Sequence, residues 1–347
     1  RFLGKEELKD GYTRWDWEVK SPINNYNIVI NIADYVHIHD ELNGLDLDYY
    51  VLRENEAKAR KHFEEVKPMM NCFQEKFGAY PFIEDGFKLV ETPYLGMEHQ
   101  SAVAYGNKYM KGYLGNDMTG TGVGMLFDYI TIHETGHEWF GNSITSKDIA
   151  DMWIHEGFTT YSECVYVECQ FGYEKAMAYI NGQKKLIANQ KPVIGQFGVN
   201  YKTGNSDMYY KGALMLNTIR HIINDDTKWW AMLKKYAETY RYKIIETKDV
   251  VAFFSKESGL NLSPIFDQYL KHKAFPELEL KFNEGTIDFR WKTDVENFKM
   301  PFECKIGTKS LRYEATNAWQ SAPIQLKNPT DFSLDENKFL FTSSVLK

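Results

Sequence analysis

The sequence predicts an α+β multidomain chain in which a helix-rich centre is flanked by β pieces. Three observations carry that prediction. Residues 1–38 alternate apolar and polar side chains, as in Tyr26-Asn27-Ile28-Val29-Ile30-Asn31-Ile32, which is the period of a strand with one face covered. From about 46 to 271 most apolar residues return every three or four positions, the helical period. After Ala274 the period of two comes back abruptly. With 347 residues, 43 % of them hydrophobic, the chain is long enough for two or three domains with sizeable cores.

The elements follow in order. Residues 1–38 read as the C-terminal remnant of a larger N-terminal β domain. The chain opens at Arg1 rather than Met, so it reads as an internal fragment, with any signal peptide expected upstream. Residues 39–275 read as the central domain. It should open with a long helix over 46–78, with Leu52, Ala59, Phe63, Val66 and Met70 on its apolar face and Gly78-Ala79-Tyr80-Pro81 as its stop. Phe87–Glu91 reads as a strand and Met97 to Tyr105 as a second strand or edge. The glycine-rich stretch 115–124 lacks the Lys-Ser/Thr of a phosphate-binding loop and reads as a flexible loop entering the next helix. Helices are expected at 125–142, 148–170, 174–190, 207–224, 226–240, 247–258 and 263–271. Residues 276–347 read as a β-sandwich-like domain. It opens with a hairpin of 277–282 and 286–291 around Asn283-Glu284-Gly285 and continues in the same style to Lys347.

Composition excludes some functions. The formal net charge is −7, with both signs interspersed, so no basic face for nucleic acid is expected. No run of eighteen apolar residues exists, so no helical membrane span is expected. The four cysteines, Cys72, Cys164, Cys169 and Cys304, show no zinc-ribbon or C-x-x-C spacing. Cys164 and Cys169 sit five apart on an expected helix, face different directions and should not bridge. Aromatic residues make up 15 %, mostly core, with some available to line a groove.

The chemistry centres on His133-Glu134-Thr135-Gly136-His137. Two histidines four apart lie one above the other on a helix and can grip one metal ion, with the glutamate between them near a metal-bound water. A chance match is expected in roughly 2 % of such chains, and a glutamate at one required further position lowers that about tenfold. Glu156 stands nineteen residues after His137, on the following expected helix. His133, His137 and Glu156 therefore read as three ligands of one Zn2+ with an open fourth position. Glu134 reads as general base toward the zinc-activated water and as proton donor to the leaving amine. Glu163, seven residues past Glu156, lies two turns along the same face. It reads either as the anchor of a zinc-ligating histidine or as a solvated helix glutamate. His155 projects about 100° from Glu156 and is not expected to bind the metal.

These residues resemble the zinc aminopeptidases of the aminopeptidase N and leukotriene hydrolase type, a gluzincin family, over roughly 40–275. His133 to Asn142 looks like that family's H-E-x-x-H-x-W-F-G-N, and Trp153-Ile154-His155-Glu156-Gly157-Phe158 is similar to its W-L-N-E-G-F at the same spacing. Leu95-Gly96-Met97-Glu98-His99 resembles its G-A/G-M-E-N motif, and Tyr209-Tyr210-Lys211-Gly212-Ala213 its Y-x-K-G-A. The resemblance implies a thermolysin-like zinc metallopeptidase catalytic domain acting on peptides with a free N-terminus. It implies Glu98 as the partner of the substrate's α-amine, Gly96 and Met97 as substrate-lining residues, and Tyr209 as oxyanion donor. Leu95 and His99 depart from the motif, and His99 brings a titratable group near the site. Most of the family's N-terminal β domain and its large helical C-terminal domain are not in this sequence, which implies an open cleft. Alternatives are a zinc endopeptidase, which would not need Glu98, and a non-catalytic zinc-bearing binding module, which would have no use for Glu134. Compartment is left open, leaning to the bacterial cell envelope.

Overall fold

A computed structural model of the chain describes residues 1–200, 206–325 and 331–346. Strands β1 (Phe2–Glu7) and β2 (Thr13–Trp17) form a separate antiparallel hairpin. The strand expected through Tyr26–Ile32 is not formed. Asn25–Asn27 makes a 3-10 turn, no described strand pairs with 28–32, and Ile28, Ile30 and Ile32 are 69, 83 and 89 % exposed. Alternation marks a strand only when a neighbouring strand takes its backbone hydrogen bonds.

Strand β3 (Tyr35–Leu42) runs across position 38 and pairs with β4 (Leu45–Leu52). The connection is Asn43-Gly44, with φ of +51° and +83°, the two-residue turn whose backbone twist suits a hairpin. The helix expected from 46 is therefore corrected. Leu45, Leu47, Tyr49 and Val51 are buried on alternate positions, a period of two that outweighs the helical reading. Helix begins at α1 (Glu56–His62) and resumes as α2 (Val66–Phe77). Strands β5 (Phe87–Glu91), β6 (Gly96–Met97) and β7 (Val103–Tyr105) complete a five-stranded sheet in the order β3-β4-β5-β7-β6, so the expected second strand is two short ones. The glycine-rich loop is pinned rather than loose, because the Asp117 carboxylate accepts from the backbone N–H of Thr119 (2.9 Å) and Gly122 (2.6 Å).

Helix α3 (Tyr129–Gly136) is shorter than the expected 125–142. Its start is set by Asp128, whose carboxylate accepts from the N–H of Thr131 at 3.0 Å, a capping bond. His137 keeps helical angles as the next residue, and the turn then opens at Gly141. Next come β8 (Ile144–Ser146), α4 (Trp153–Phe171) and α5 (Tyr173–Gly182). The helix expected at 148–170 starts later, after a 3-10 turn at Ile149–Asp151, and that expected to 190 stops at Gly182. Helices α6 (Asp207–Ile223) and α7 (Asp226–Thr239) follow, then strand β9 (Lys243–Ile245), then α8 (Thr247–Ser258) and α9 (Ser263–Lys271), and these four helices lie within one residue of their expected bounds.

The last segment forms two facing sheets. Strands β10 (Glu277–Asn283) and β11 (Thr286–Lys292) make the expected hairpin. They are followed by β12 (Lys299–Ile306), β13 (Lys309–Thr316), β14 (Gln320–Pro323), β15 (Phe332–Asp335) and β16 (Thr342–Val345), in the orders β14-β11-β10-β16 and β13-β12-β15. Phe289 of one sheet meets Phe302 of the other at 5.1 Å between rings. Lys347 lies outside the described residues. The architecture is α+β and multidomain.

Two long-range contacts hold the helical layer. Cys72 of α2 and Cys169 of α4 form a disulfide across 97 residues, a pairing the sequence reading did not raise, while Cys164 is a buried free thiol. Helices α4 and α6 meet backbone to backbone at two glycines. A Cβ on Gly212 would stand 3.0 Å from Gly157 Cα, and one on Gly157 would stand 3.2 Å from Gly212 Cα and from the Met208 carbonyl oxygen. A Gly212→Val side chain must push the helices apart. The expected result is a loss of about 1–3 kcal/mol of stability, as overpacked sites show, read from denaturant unfolding. An unchanged midpoint would mean that the contact is slack.

Candidate active site

Helix α3 carries His133, His137 caps its C-terminal end with helical angles, and α4 carries Glu156. His137 Nε2 lies 3.3 Å and His133 Nε2 3.6 Å from Glu156 Oε2. One donor atom from each of the three falls within 4.8 Å of the others, and all three side chains are buried. The far nitrogens are already engaged. His133 Nδ1 donates to Glu163 Oε1 at 2.7 Å, and His137 Nδ1 donates to the Phe140 carbonyl at 3.0 Å. With the proton on Nδ1, each Nε2 presents a lone pair to the shared point. Glu156 Oε2 has no hydrogen-bond partner among the described residues. Two imidazoles and a buried, unsatisfied carboxylate converging on one point form a donor set that fits zinc.

Charge points the same way. Three buried carboxylates, Glu98, Glu134 and Glu156, surround the two imidazoles. Burial alone would lower the His137 pKa, but Glu156 and Glu98 outweigh it and hold it up at about 9, so a metal ion entering the site takes the place of the Nε2 proton and frees that lone pair. Burial pushes Glu134 up to about 7, with Glu98 and Glu156 adding to the push and His133 and His137 opposing it. A divalent cation would relieve this imbalance.

Glu163 is fully buried on α4, so the solvated alternative does not hold. Besides His133 it accepts from Tyr179 Oη at 2.7 Å and Gln183 Nε2 at 3.2 Å. His155 turns away from the shared point, and its Nε2 accepts from the Ser146 N–H at 2.8 Å. Burial pushes its pKa down to about 4.

Strand β6 brings Gly96 and Met97 against α3. A Cβ on Gly96 would stand 2.7 Å from Ile130 Cγ2 and 3.0 Å from Glu134 Oε1, so only glycine lets this strand lie beside Glu134. Glu98 follows it, buried, with a carboxylate oxygen within 4.8 Å of ligand atoms of Glu134 and His137. Half-buried Leu95 packs on the core. His99 is buried, and burial lowers its pKa, so the titratable group anticipated there stays neutral at pH 7. Tyr209, in the first turn of α6, stacks on His133 with ring centres 6.1 Å apart. Burial and then the Glu156 carboxylate raise its hydroxyl pKa, keeping it a neutral donor.

Two residues near Tyr209 serve the fold. Lys211 Nζ is capped by Asn189 Oδ1 (3.0 Å) and by the carbonyls of His272 (2.9 Å) and Lys273 (2.8 Å), which ties α6 to the end of α9. Gly212 makes the close helix contact described above.

The sequence reading missed three residues. Tyr26 Oη donates to Glu98 Oε1 at 3.3 Å. Asn142 Nδ2 donates to the Glu98 carbonyl (2.8 Å) and to Glu138 Oε1 (3.0 Å). Glu138, fully buried, also accepts from Tyr80 Oη at 2.5 Å. Tyr26 is 72 residues from Glu98 and carries no motif; its only sequence signal is a turn-prone run of asparagines. A separate cluster, His37, His39 and Asp48, lies on the β3–β4 hairpin, where both imidazoles donate to Asp48 Oδ1, at 2.7 and 3.0 Å.

A helix-borne histidine pair with a glutamate from the following helix defines a metallopeptidase class of site. Residues 61–269 match the Peptidase family M1 domain, and the chain belongs to that family. Mouse (Mus musculus) aminopeptidase B is 24 % identical over 168 residues, which cover 42 % of this chain and 26 % of its own. The probable aminopeptidase 2 of Sulfurisphaera tokodaii is 19 % identical over 310 residues, covering 84 % of this chain and 39 % of its own. The chain thus spans well under half the length of these relatives. Among solved structures, an M1 zinc metallopeptidase variant from Deinococcus radiodurans, bound to a Tyr-Ser-Ala substrate, superposes with a TM-score of 0.62 at 16 % identity. That match covers 80 % of this chain and 61 % of the other and is a likeness of fold.

Removing the Glu163 carboxylate should loosen the His133 ring and its tautomer. Glu163→Ala is expected to weaken zinc binding about 10–100-fold, read by competition with a chelating indicator. Unchanged affinity would mean that His133 is oriented by other contacts.

Proposed function

We propose that this chain is a zinc-dependent aminopeptidase, hydrolysing N-terminal residues from peptides, with one zinc held by His133, His137 and Glu156. The observation that carries the reading is the buried Glu98 carboxylate beside Glu134 and His137. A fixed negative charge there suits a free α-ammonium and lets only the first peptide bond reach Glu134. Zinc bound at this site would polarise the scissile carbonyl and make the attacking water more acidic.

The residues supply the rest. Glu134 is the only one of the three carboxylates assigned neither to the ligand set nor to the α-amine. With its pKa pushed up by burial, it takes the proton of the attacking water and hands it to the leaving amine. Tyr209, neutral and against His133, donates its hydroxyl hydrogen bond to the developing oxyanion. Gly96 and Met97 line the path along β6, which the missing side chain of Gly96 lets lie directly against Glu134. The names of the relatives support this reading, since those described above are aminopeptidases. No described helix is long and apolar enough to cross a membrane.

An endopeptidase built on the same ligand set would cut blocked peptides as well. The expected outcome is that a peptide with a free N-terminus is shortened one residue at a time while its acetylated twin resists. Chelation should abolish this and zinc restore it. Glu134→Gln should lower kcat by about 10²–10⁴-fold, the range for loss of a proton-transfer group. Equal cleavage of both peptides would move the assignment to an endopeptidase, and full activity of Glu134→Gln would remove its role.

A further inference from the structure

The segment after β2 is strapped across the edge of the site. The Asp85 carboxylate accepts from the N–H of Lys20 (2.7 Å) and of Ser21 (3.0 Å). Gln100 Nε2 donates to the Pro22 carbonyl at 2.9 Å, and Asn24 Nδ2 donates to Thr145 Oγ1 at 3.0 Å. Asn27, buried, donates through Nδ2 to Asn142 Oδ1 at 2.7 Å. These bonds tie the strap to the loop before β5, the loop after β6, the loop before β8 and β8 itself. They close the turn Asn25–Asn27 and present the Tyr26 hydroxyl to Glu98 Oε1 at 3.3 Å.

Glu98 is thus gripped twice from this side. Its backbone carbonyl is held by Asn142, which Asn27 holds in turn, and its carboxylate is met by Tyr26. A carboxylate offers about four lone-pair directions, and an α-ammonium has three N–H donors. A hydroxyl already placed on one oxygen keeps the carboxylate from rotating and leaves the remaining lone pairs for the ammonium. The hydroxyl is suited to this, because burial and the Glu98 charge raise its pKa and keep it a donor. The Tyr26 residue itself is 40 % exposed, so it is not needed as core, and its replacement by Phe keeps the ring packing.

We propose that Tyr26 is a positioning residue, whose hydroxyl orients the Glu98 carboxylate for the α-ammonium of the bound peptide, so that the N-terminal strap is part of the substrate's amine site. This rests on the reading of Glu98 as the α-amine partner. The residue acts through Glu98 and has no part in proton transfer. Recognition of the first residue of a substrate would then depend on chain outside the residues 61–269 that match the family domain.

Calorimetry on the zinc-loaded protein separates the possibilities. The probes are leucine hydroxamate and its analogue lacking the α-amine, 4-methylpentanohydroxamate, and the proteins are wild type and Tyr26→Phe. The expected result is that wild type prefers the amine-bearing probe and that Tyr26→Phe binds it about five- to tenfold more weakly, the scale of one ordinary hydrogen bond. The analogue should bind both proteins equally. In kinetics on an aminoacyl anilide, the same loss should appear in KM with kcat nearly unchanged. A Tyr26→Phe protein that binds both probes as wild type does, or weakens both alike, overturns the positioning role. A wild type with no preference for the amine overturns the Glu98 reading itself, and the role of Tyr26 with it.

Discussion

The hydrogen bond between Glu163 and His133 is the contact on which the site depends. Five ionisable groups, three carboxylates and two imidazoles, form two overlapping sets that share His137, each set with its donor atoms within 4.8 Å of one another and almost no access to water. An uncompensated charge there would be costly enough to pull the helices apart or to be neutralised by protonation. Glu163 joins α4 to α3 and orients the first imidazole. It is itself satisfied by Tyr179 of α5 and by Gln183, so the charge is passed outward through a closed set of donors. The second imidazole is oriented by a backbone carbonyl of its own loop. Glu156 Oε2, which faces both imidazoles, is left without a hydrogen-bond partner among the described residues, and a cation belongs beside it.

Packing sets the distances. The glycines of both downstream motifs meet each other, so Gly157 and Gly212 let α4 and α6 approach until Tyr209 stacks on His133. Glu156 is one residue before the first glycine, and Tyr209 is about one turn before the second. The ligand and the proposed oxyanion donor are therefore positioned by one helix crossing. The same layer is locked elsewhere by buried Arg220, whose guanidinium grips the Glu168 carboxylate (2.6 and 2.9 Å) and that of Asp226 (2.8 and 2.9 Å) while stacking on Trp230. Arginine's fork of donors suits such double pairing.

On the opposite wall, Gly96 works like the glycines of the helix crossing, admitting β6 to within contact of Glu134. The N-terminal strap then closes over Glu98. The wall is thus assembled from a sheet edge, a loop and a segment with no regular partner strand, three pieces distant along the chain that share one hydrogen-bond network through Asn142 and Glu138.

By itself the sequence determined what depends on neighbours along the chain. The i, i+4 histidines had to share a helix face, the hairpin at Asn283-Glu284-Gly285 had to turn, and the helices from 207 to 271 had to form close to where their periodicity placed them. The spacing also indicated Glu156, and the resemblance to the zinc aminopeptidases implied Glu98 and Tyr209; the structure brings all three around His133 and His137. Tertiary structure decided the rest. It made 45–52 a strand and left 28–32 without one, because a period of two needs a partner strand to become a sheet. It chose Cys169 for Cys72, His133 for Glu163 and Glu98 for Tyr26. Local periodicity records only which residues share a face. Which faces then meet is settled by the burial of the whole chain, and no spacing within one element carries that information.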